Sequence, residues 1–160
     1  MSRVVTTWLE VTAAEQVRPA GPPRAGGVVI ARVAPDGALN RWFYEQVGAD
    51  HRWTDLLGRD DAAWQRHAER RETWVATVRG ERAGYAELLA GDGEVEIAYF
   101  GLLPAFQGVG LGGHLLTLAL RRALDLGSRV WVKTGTLDGP HALANYEARG
   151  LRAYRREQSP

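Results

Sequence analysis

The 160-residue chain has no cysteine, and that absence removes three kinds of chemistry at once. No disulfide can staple the fold, no thiolate can act as nucleophile, and no zinc site can be built on sulfur. Lysine is nearly absent too: Lys133 stands alone against a background of arginine, a composition that reads as coding bias before chemistry. Charge of either sign is not in excess, with 20 basic against 19 acidic residues, so nothing points to nucleic acid. No apolar run approaches the ~20 residues of a membrane span, and no signal-type apolar stretch follows Arg3. The expectation is one cytoplasmic domain over residues 1–160, without membrane or nucleic-acid partners and long enough to bury a core unaided.

What is abundant is glycine, 19 residues of it, and its placement carries the argument. Gln107-Gly-Val-Gly-Leu-Gly-Gly113 lies between an alternating apolar run, Val95–Phe100, and a leucine-rich run, Leu111–Leu126, with helical spacing. A strand, a glycine turn and a helix N-terminus make an anion pocket. Glycine lets the backbone come close to a ligand, and the first amides of a helix have no intrahelical partner.

Around this centre the chain reads as mostly antiparallel strands followed by a strand–helix–strand unit. Strands are expected at Val4–Val11, Val28–Val33, Trp74–Val78, Tyr85–Leu89, residues 94–100, Arg129–Thr134 and Leu151–Arg155. Pro19–Gly27 breaks the chain, Gly80–Gly84 reads as a turn, and Gly91-Asp-Gly93 is a hairpin signal. Helices are expected at Asn40–Val47, Asp60–Arg71, Leu111–Leu126 and near Pro140–Ala148, with Gly127 at C′ of the third and Pro140 at N1 of the fourth. The fold class is therefore α/β (α+β): a mixed, mainly antiparallel central sheet flanked by helices.

Three phosphate-binding readings compete for the loop. A Walker A loop needs Gly-Lys-Ser/Thr, whereas here His114 follows the glycines. Gly108, Gly110 and Gly113 satisfy the dinucleotide fingerprint formally, but the loop comes late and the next strand ends in Lys133-Thr134, with no acidic residue for a ribose. The third reading rests on Gln107-x-x-Gly110-x-Gly112, preceded by Leu102-Leu103-Pro104, together with the downstream segment Asp138–Leu151, in which Ala142 is followed at four residues by Tyr146 and then by Gly150-Leu151. These two stretches resemble the acetyl-CoA loop, Gln/Arg-x-x-Gly-x-Gly/Ala, and the second signature of the GNAT superfamily of N-acetyltransferases.

The resemblance implies an acetyl-CoA-dependent N-acetyltransferase with an acyl-CoA N-acyltransferase fold and no metal. It implies that the amides of Val109, Gly110, Leu111, Gly112 and Gly113 hold the diphosphate beside Gln107 and Gly108, and that main-chain groups of Phe100 and Leu102 pair with the pantetheine arm. The family's central strand bulges at this point, and Gly101 suits a bulge. Glu96, eleven residues before Gln107, occupies the register of the catalytic glutamate in the histone-acetyltransferase branch, so it is the candidate base or water-positioner. Tyr146 is the candidate acid toward the CoA thiolate. Strand parity groups Glu94, Glu96, Ala98 and Phe100 on one face and Val95, Ile97 and Tyr99 on the other. Asp138 stands where asparagine is common, and its position before Pro140 allows it to cap the helix.

His51, His67, His114 and His141 show no ligand spacing. Trp42, Phe43 and Trp64 read as helix core, while Trp53 and Asp55 leave two readings open, structural or a cleft for a cationic amine. The acceptor is a small-molecule or peptide amine of unidentified kind, and a homodimer is open. The runner-up function is a non-catalytic acyl-CoA-binding or sensing module with the same fold.

Overall fold

The computed structural model describes residues 3–159. Seven strands form one sheet: β1 (Val4–Val11), β2 (Val28–Val33), β3 (Glu72–Val78), β4 (Glu81–Gly91), β5 (Glu94–Leu102), β6 (Arg129–Gly135) and β7 (Arg152–Ser159). Their spatial order is β2-β3-β4-β5-β6-β1-β7. Every pairing is antiparallel except that of β5 with β6. Four helices flank it: α1 (Gly37–His51), α2 (Asp61–Glu69), α3 (Leu111–Leu126) and α4 (Pro140–Ala148).

Helix α3 has the bounds expected from its spacing. Leu111, Leu115, Leu116, Ala119, Leu120 and Ala123 recur at helical intervals and are all buried against the sheet. Each fully buried leucine contributes roughly 1.5–3 kcal/mol of transfer free energy. Gly127 ends the helix in an extended conformation (φ −160°), not the left-handed one expected at C′. It is needed for close approach, since a Cβ there would lie 2.7 Å from the Gly93 carbonyl oxygen.

Helix α1 starts earlier and ends later than expected. Asp36 accepts from the Leu39 amide at 3.3 Å, and Gln65 of α2 accepts from the Gly37 amide at 2.9 Å, so the first turn is capped from two directions. Asp60 caps α2 by accepting from Ala63 N at 2.8 Å. The expected turn at Gly80–Gly84 shrinks to Arg79-Gly80, both left-handed (φ 50° and 83°), and β4 already begins at Glu81.

Two features of β5 position the site. Glu87 pairs with Tyr99 but Leu88 pairs with Ile97, so the bulge falls at Ala98 and not at Gly101. The extra residue reverses side-chain parity. Phe100 therefore joins Val95 and Ile97 in the core under α3, while Tyr99 turns to the α1–α2 face among Tyr44, Trp53 and Trp64. Gly101 serves close packing instead, because a Cβ would meet Val47 Cγ1 of α1 at 2.4 Å. The second feature is that β5 and β6 pair only over Glu94–Glu96 and Arg129–Trp131. Beyond Glu96 the two strands part.

Candidate active site

A cleft of about 1300 Å³ occupies the gap between the diverging strands. Because the sheet itself is split, the cleft joins its two faces. Glu96, Tyr99 and Trp53 line it with the α1–α2 layer, and Tyr146, Asn145 and the glycine loop line it with the α3–α4 layer. Cleft walls thus come from segments far apart in sequence, held by the sheet.

The loop leaves β5 through a short 3₁₀ turn at Pro104–Phe106. Gly108 and Gly110 are left-handed (φ 83° and 80°), a conformation side chains with a Cβ resist, and Gly110 is the N-cap of α3. The first helical bond runs from His114 N to Gly110 O at 3.3 Å. Among the described residues the amides of 108–113 have no hydrogen-bond partner, so the donors that begin α3 remain available. Gly108, Gly112 and Gly113 line the cleft with Gln107, whose side-chain amide donates to Leu102 O at 3.4 Å. Phe100 and Leu102 lie on the segment of β5 that has left β6, and both line the cleft.

Glu96 sits at the last paired position before the split, between Leu89 of β4 and Trp131 of β6. Its carboxyl has no hydrogen-bond or ion-pair partner among the described residues, and Arg71, the arginine whose charge reaches it, is paired with Glu87 instead. Burial raises its pKa above the ordinary glutamate range, partly offset by the charges of Lys133 and Arg71. A base with a raised pKa is better matched to work near neutrality.

Tyr146, on α4, is 6% exposed, and its ring packs on Phe100 with centroids 6.1 Å apart. Burial, with a smaller contribution from the charge of Asp138, holds its phenol protonated well beyond the usual tyrosine range. Asp138 does not cap α4, whose N-cap is Gly139. It accepts instead from Thr134 Oγ1 at 2.8 Å, Gly135 N at 2.9 Å and Trp53 Nε1 at 3.3 Å. His51 Nδ1 donates to its carbonyl at 2.7 Å. Asp138 thereby ties the end of β6 to the α1–α2 region across the cleft.

Phe43 and Trp64 are core, as the aromatic pattern suggests, whereas Trp42 is only partly buried, edge-on to Phe43 and beneath the Arg82 guanidinium. Trp53 lines the cleft, stacked on His51 and edge-on to Tyr99. Asp55 is occupied: it accepts from Tyr44 Oη at 2.9 Å and from Tyr99 Oη. Burial and this carboxylate push the Tyr44 phenol up to about 12.

Sequence reasoning missed Glu87. On β4, directly across from Tyr99, its carboxylate is 1% exposed and accepts from His67 Nε2 at 2.7 Å, Asn40 Nδ2 at 2.8 Å and Arg71 Nη1 at 3.0 Å. The signal was a lone acid in an otherwise apolar strand, Ala83–Leu89. Among the described residues no group of three or more His, Cys, Asp or Glu is arranged to hold a metal, and no helix is long and apolar enough to cross a membrane.

The sheet is mixed and splits at its parallel β5–β6 pair, with a bare helix N-terminus at the split. Residues 38–151 match the model of the Acetyltransferase (GNAT) family, and the chain belongs to that family. Its fold is similar to that of a GCN5-related N-acetyltransferase from Kribbella flavida, with 21% identity and a TM-score of 0.66 over 96% of this chain and 56% of that one. One from Sphaerobacter thermophilus gives 19% identity and a TM-score of 0.70 over 96% and 49%. An aminoglycoside acetyltransferase from an uncultured soil metagenomic sample gives 17% and 0.64 over 77% and 87%. The chain thus spans about half the length of the first two, and at these identities the likeness is one of fold. No curated protein matches.

Proposed function

We propose that this protein is an N-acetyltransferase that moves an acetyl group from acetyl-CoA directly to a primary amine, with residues 1–160 forming one GNAT-like domain. The observation that carries the reading is the split itself. It puts a half-buried, unpartnered carboxylate and a buried phenol in one cleft, with unpaired helix-N-terminal amides at its edge.

The amides of Val109–Gly113 would take the diphosphate, helped by the positive end of α3. The loop residues Gln107–Gly113 carry no lysine or arginine, so backbone donors do most of the binding. The freed edge of β5 near Phe100 and Leu102 suits the amides of a pantetheine arm. Acetyl-CoA supplies the activated thioester; the chain supplies position and proton handling.

Glu96 accepts the proton that an alkyl ammonium, pKa ~10.4, must lose before its nitrogen can form the new C–N bond. The second proton, shed by that nitrogen as the C–N bond forms and the C–S bond breaks, goes to the departing sulfur and gives the CoA thiol. Tyr146 donates a hydrogen bond to the sulfur as the C–S bond breaks. Full proton transfer from a phenol above ~10 to a thiolate of pKa ~8.5 would be uphill by at least ~2 kcal/mol, so the phenol stabilises the thiolate without surrendering its proton. Direct transfer is favoured because a covalent route lacks its usual nucleophile, cysteine. The acceptor enters from the α1–α2 face, where Trp53 and Tyr99 flank Glu96.

The test is thiol release from acetyl-CoA across a broad amine panel, with Glu96→Gln and Tyr146→Phe. Turnover by the wild type, depressed in both variants with acetyl-CoA binding intact, supports the enzyme. Acetyl-CoA binding with no turnover on any amine supports a non-catalytic acyl-CoA module.

A further inference from the structure

The stretch between β1 and β2 crosses the end of α4, then α3, then the glycine loop, and is tied to each in turn. Gln16 packs so tightly on Gly150 that a Cβ there would lie 1.9 Å from the Gln16 carbonyl oxygen. Arg18 N donates to Arg149 O at 2.9 Å, and Ala20 N donates to Thr117 Oγ1 of α3 at 3.0 Å. Pro23 Cα comes within 3.6 Å of a Cβ built on Gly110. Arg24 then closes the run with its backbone N on Val109 O at 2.8 Å and its Nη2 on Gly108 O at 2.7 Å. The stretch ends on the β3–β4 hairpin, where Arg79 N donates to Gly27 O at 2.9 Å.

We infer that this strap, through Arg24, is a positioning device for the donor loop, an assignment that rests on the acetyl-CoA reading above. In a trans peptide the C=O of one residue and the N–H of the next point in opposite directions. With the carbonyls of Gly108 and Val109 turned outward to Arg24, the amides of Val109 and Gly110 must face away from the strap, on the open side of the loop. A loop with glycine at 108, 110, 112 and 113 has wide conformational freedom, and fixing it at the moment of binding would cost affinity. Arg24 fixes it beforehand. Pro22 and Pro23, each with a locked φ, keep the strap itself stiff. The Arg24 guanidinium also brings to the loop a positive charge that the loop's own sequence lacks.

The strap touches only the diphosphate end of the site, so its effect depends on the ligand. Calorimetric titrations of wild type and Arg24→Ala compare acetyl-CoA with S-acetyl-pantetheine, which has the thioester arm and no diphosphate. Arg24 is exposed, so the alanine variant keeps the fold; a thermal melt within a few degrees of wild type verifies it. The expected result is about tenfold weaker acetyl-CoA binding, equivalent to ~1.4 kcal/mol, with S-acetyl-pantetheine affinity unchanged within a factor of about two. Acetyl-CoA binding unchanged in the variant overturns the inference alone, as does equal weakening of both ligands. A wild type that binds no acetyl-CoA overturns the functional reading and this inference together.

Discussion

Glu87 offers the sharpest test of how the cleft is held. Its carboxylate gathers His67, Asn40 and Arg71 beneath the α1–α2 layer. Asn40 also donates to Thr73 Oγ1 at 2.9 Å and Arg71 Nε to His67 O at 2.8 Å, but Glu87 is the carboxylate that the His67 and Arg71 side chains share, His67 being 2% exposed and Arg71 11%. The Asn40 side-chain oxygen already lacks a partner. Glu87→Ala removes three hydrogen bonds and leaves a buried guanidinium without its carboxylate and an imidazole N–H without its acceptor, a loss of about 3–5 kcal/mol. For a chain of this length roughly 2–4 °C of melting temperature follows each kcal/mol, so the midpoint falls by about 6–20 °C. Urea unfolding should show the same loss at unchanged m-value. Glu87→Gln keeps the volume and one acceptor, and should lose about 1–3 kcal/mol. It also has a functional signature. Arg71 lines the cleft and its charge already lowers the pKa of Glu96. Released from Glu87, it bears more fully on Glu96, so the acidic limb of the pH–rate profile moves to lower pH. An alanine variant within about 1 kcal/mol of wild type would refute the idea that this network anchors the layer.

Other outcomes follow from the same geometry. Burial raises the Glu96 pKa in the folded protein, so its ionised form is a destabilising burden above that raised pKa and none below the unfolded value near ~4.3. Glu96→Gln should therefore melt higher than wild type at neutral pH and no higher near pH ~4, while turnover falls about 10²–10⁴-fold and its acidic limb disappears. Tyr146→Phe should lower kcat about tenfold, the worth of one hydrogen bond of ~1.4 kcal/mol, at unchanged KM for acetyl-CoA. Because burial holds the phenol protonated, the wild-type rate should show no alkaline limb from Tyr146 up to about pH 10. Gly150→Ala places a side chain at φ 100° against the Gln16 carbonyl; strain of about 1–3 kcal/mol plus a backbone clash should appear as a large fall in melting temperature.

What was legible in the sequence is local. The α3 bounds follow from leucine spacing after glycine, and the Asp92-Gly93 hairpin from a residue pair that accepts left-handed conformations, here φ 53° and 79°. Gln107, Gly108, Gly112 and Gly113 line one cleft with Glu96 and Tyr146, whereas Val109 and Gly110 are not in its lining and Leu111 is buried in the core. The strand–turn–helix order fixes the loop, and the sheet brings Tyr146 to it. Features that depend on distant chain were not legible. One inserted residue at Ala98 moved Phe100 and Tyr99 to opposite faces from those parity assigned, and no composition marks a bulge without a glycine. Gly101 looked like a bulge and is a contact surface for Val47. Glu87 is a lone acid in the otherwise apolar run Ala83–Leu89, and its partners, Asn40 of α1, His67 of α2 and Arg71 just beyond it, lie too far along the chain for local pattern to join. Strand β7 runs to Ser159 with every residue exposed, held by pairing to β1 and not by any apolar face. The stretch Pro19–Gly27 has the composition of a passive linker, yet its backbone is bonded to the loop it crosses.

The central claim is that the start of α3 binds the diphosphate of acetyl-CoA, and Gly112→Asp tests it most directly. Gly112 is the second residue of the helix, and a Cβ there meets only ordinary contacts, 3.5 Å to Leu102 and 3.7 Å to Asn145. An aspartate at that position favours the helix dipole, so the fold is kept or slightly stabilised while a negative charge enters the anion pocket. Calorimetric titration with acetyl-CoA, with NAD as control, should show binding to wild type, none to NAD, and loss of acetyl-CoA binding in Gly112→Asp at an undiminished melting temperature. No binding to wild type, or equal binding to the variant, would contradict the account.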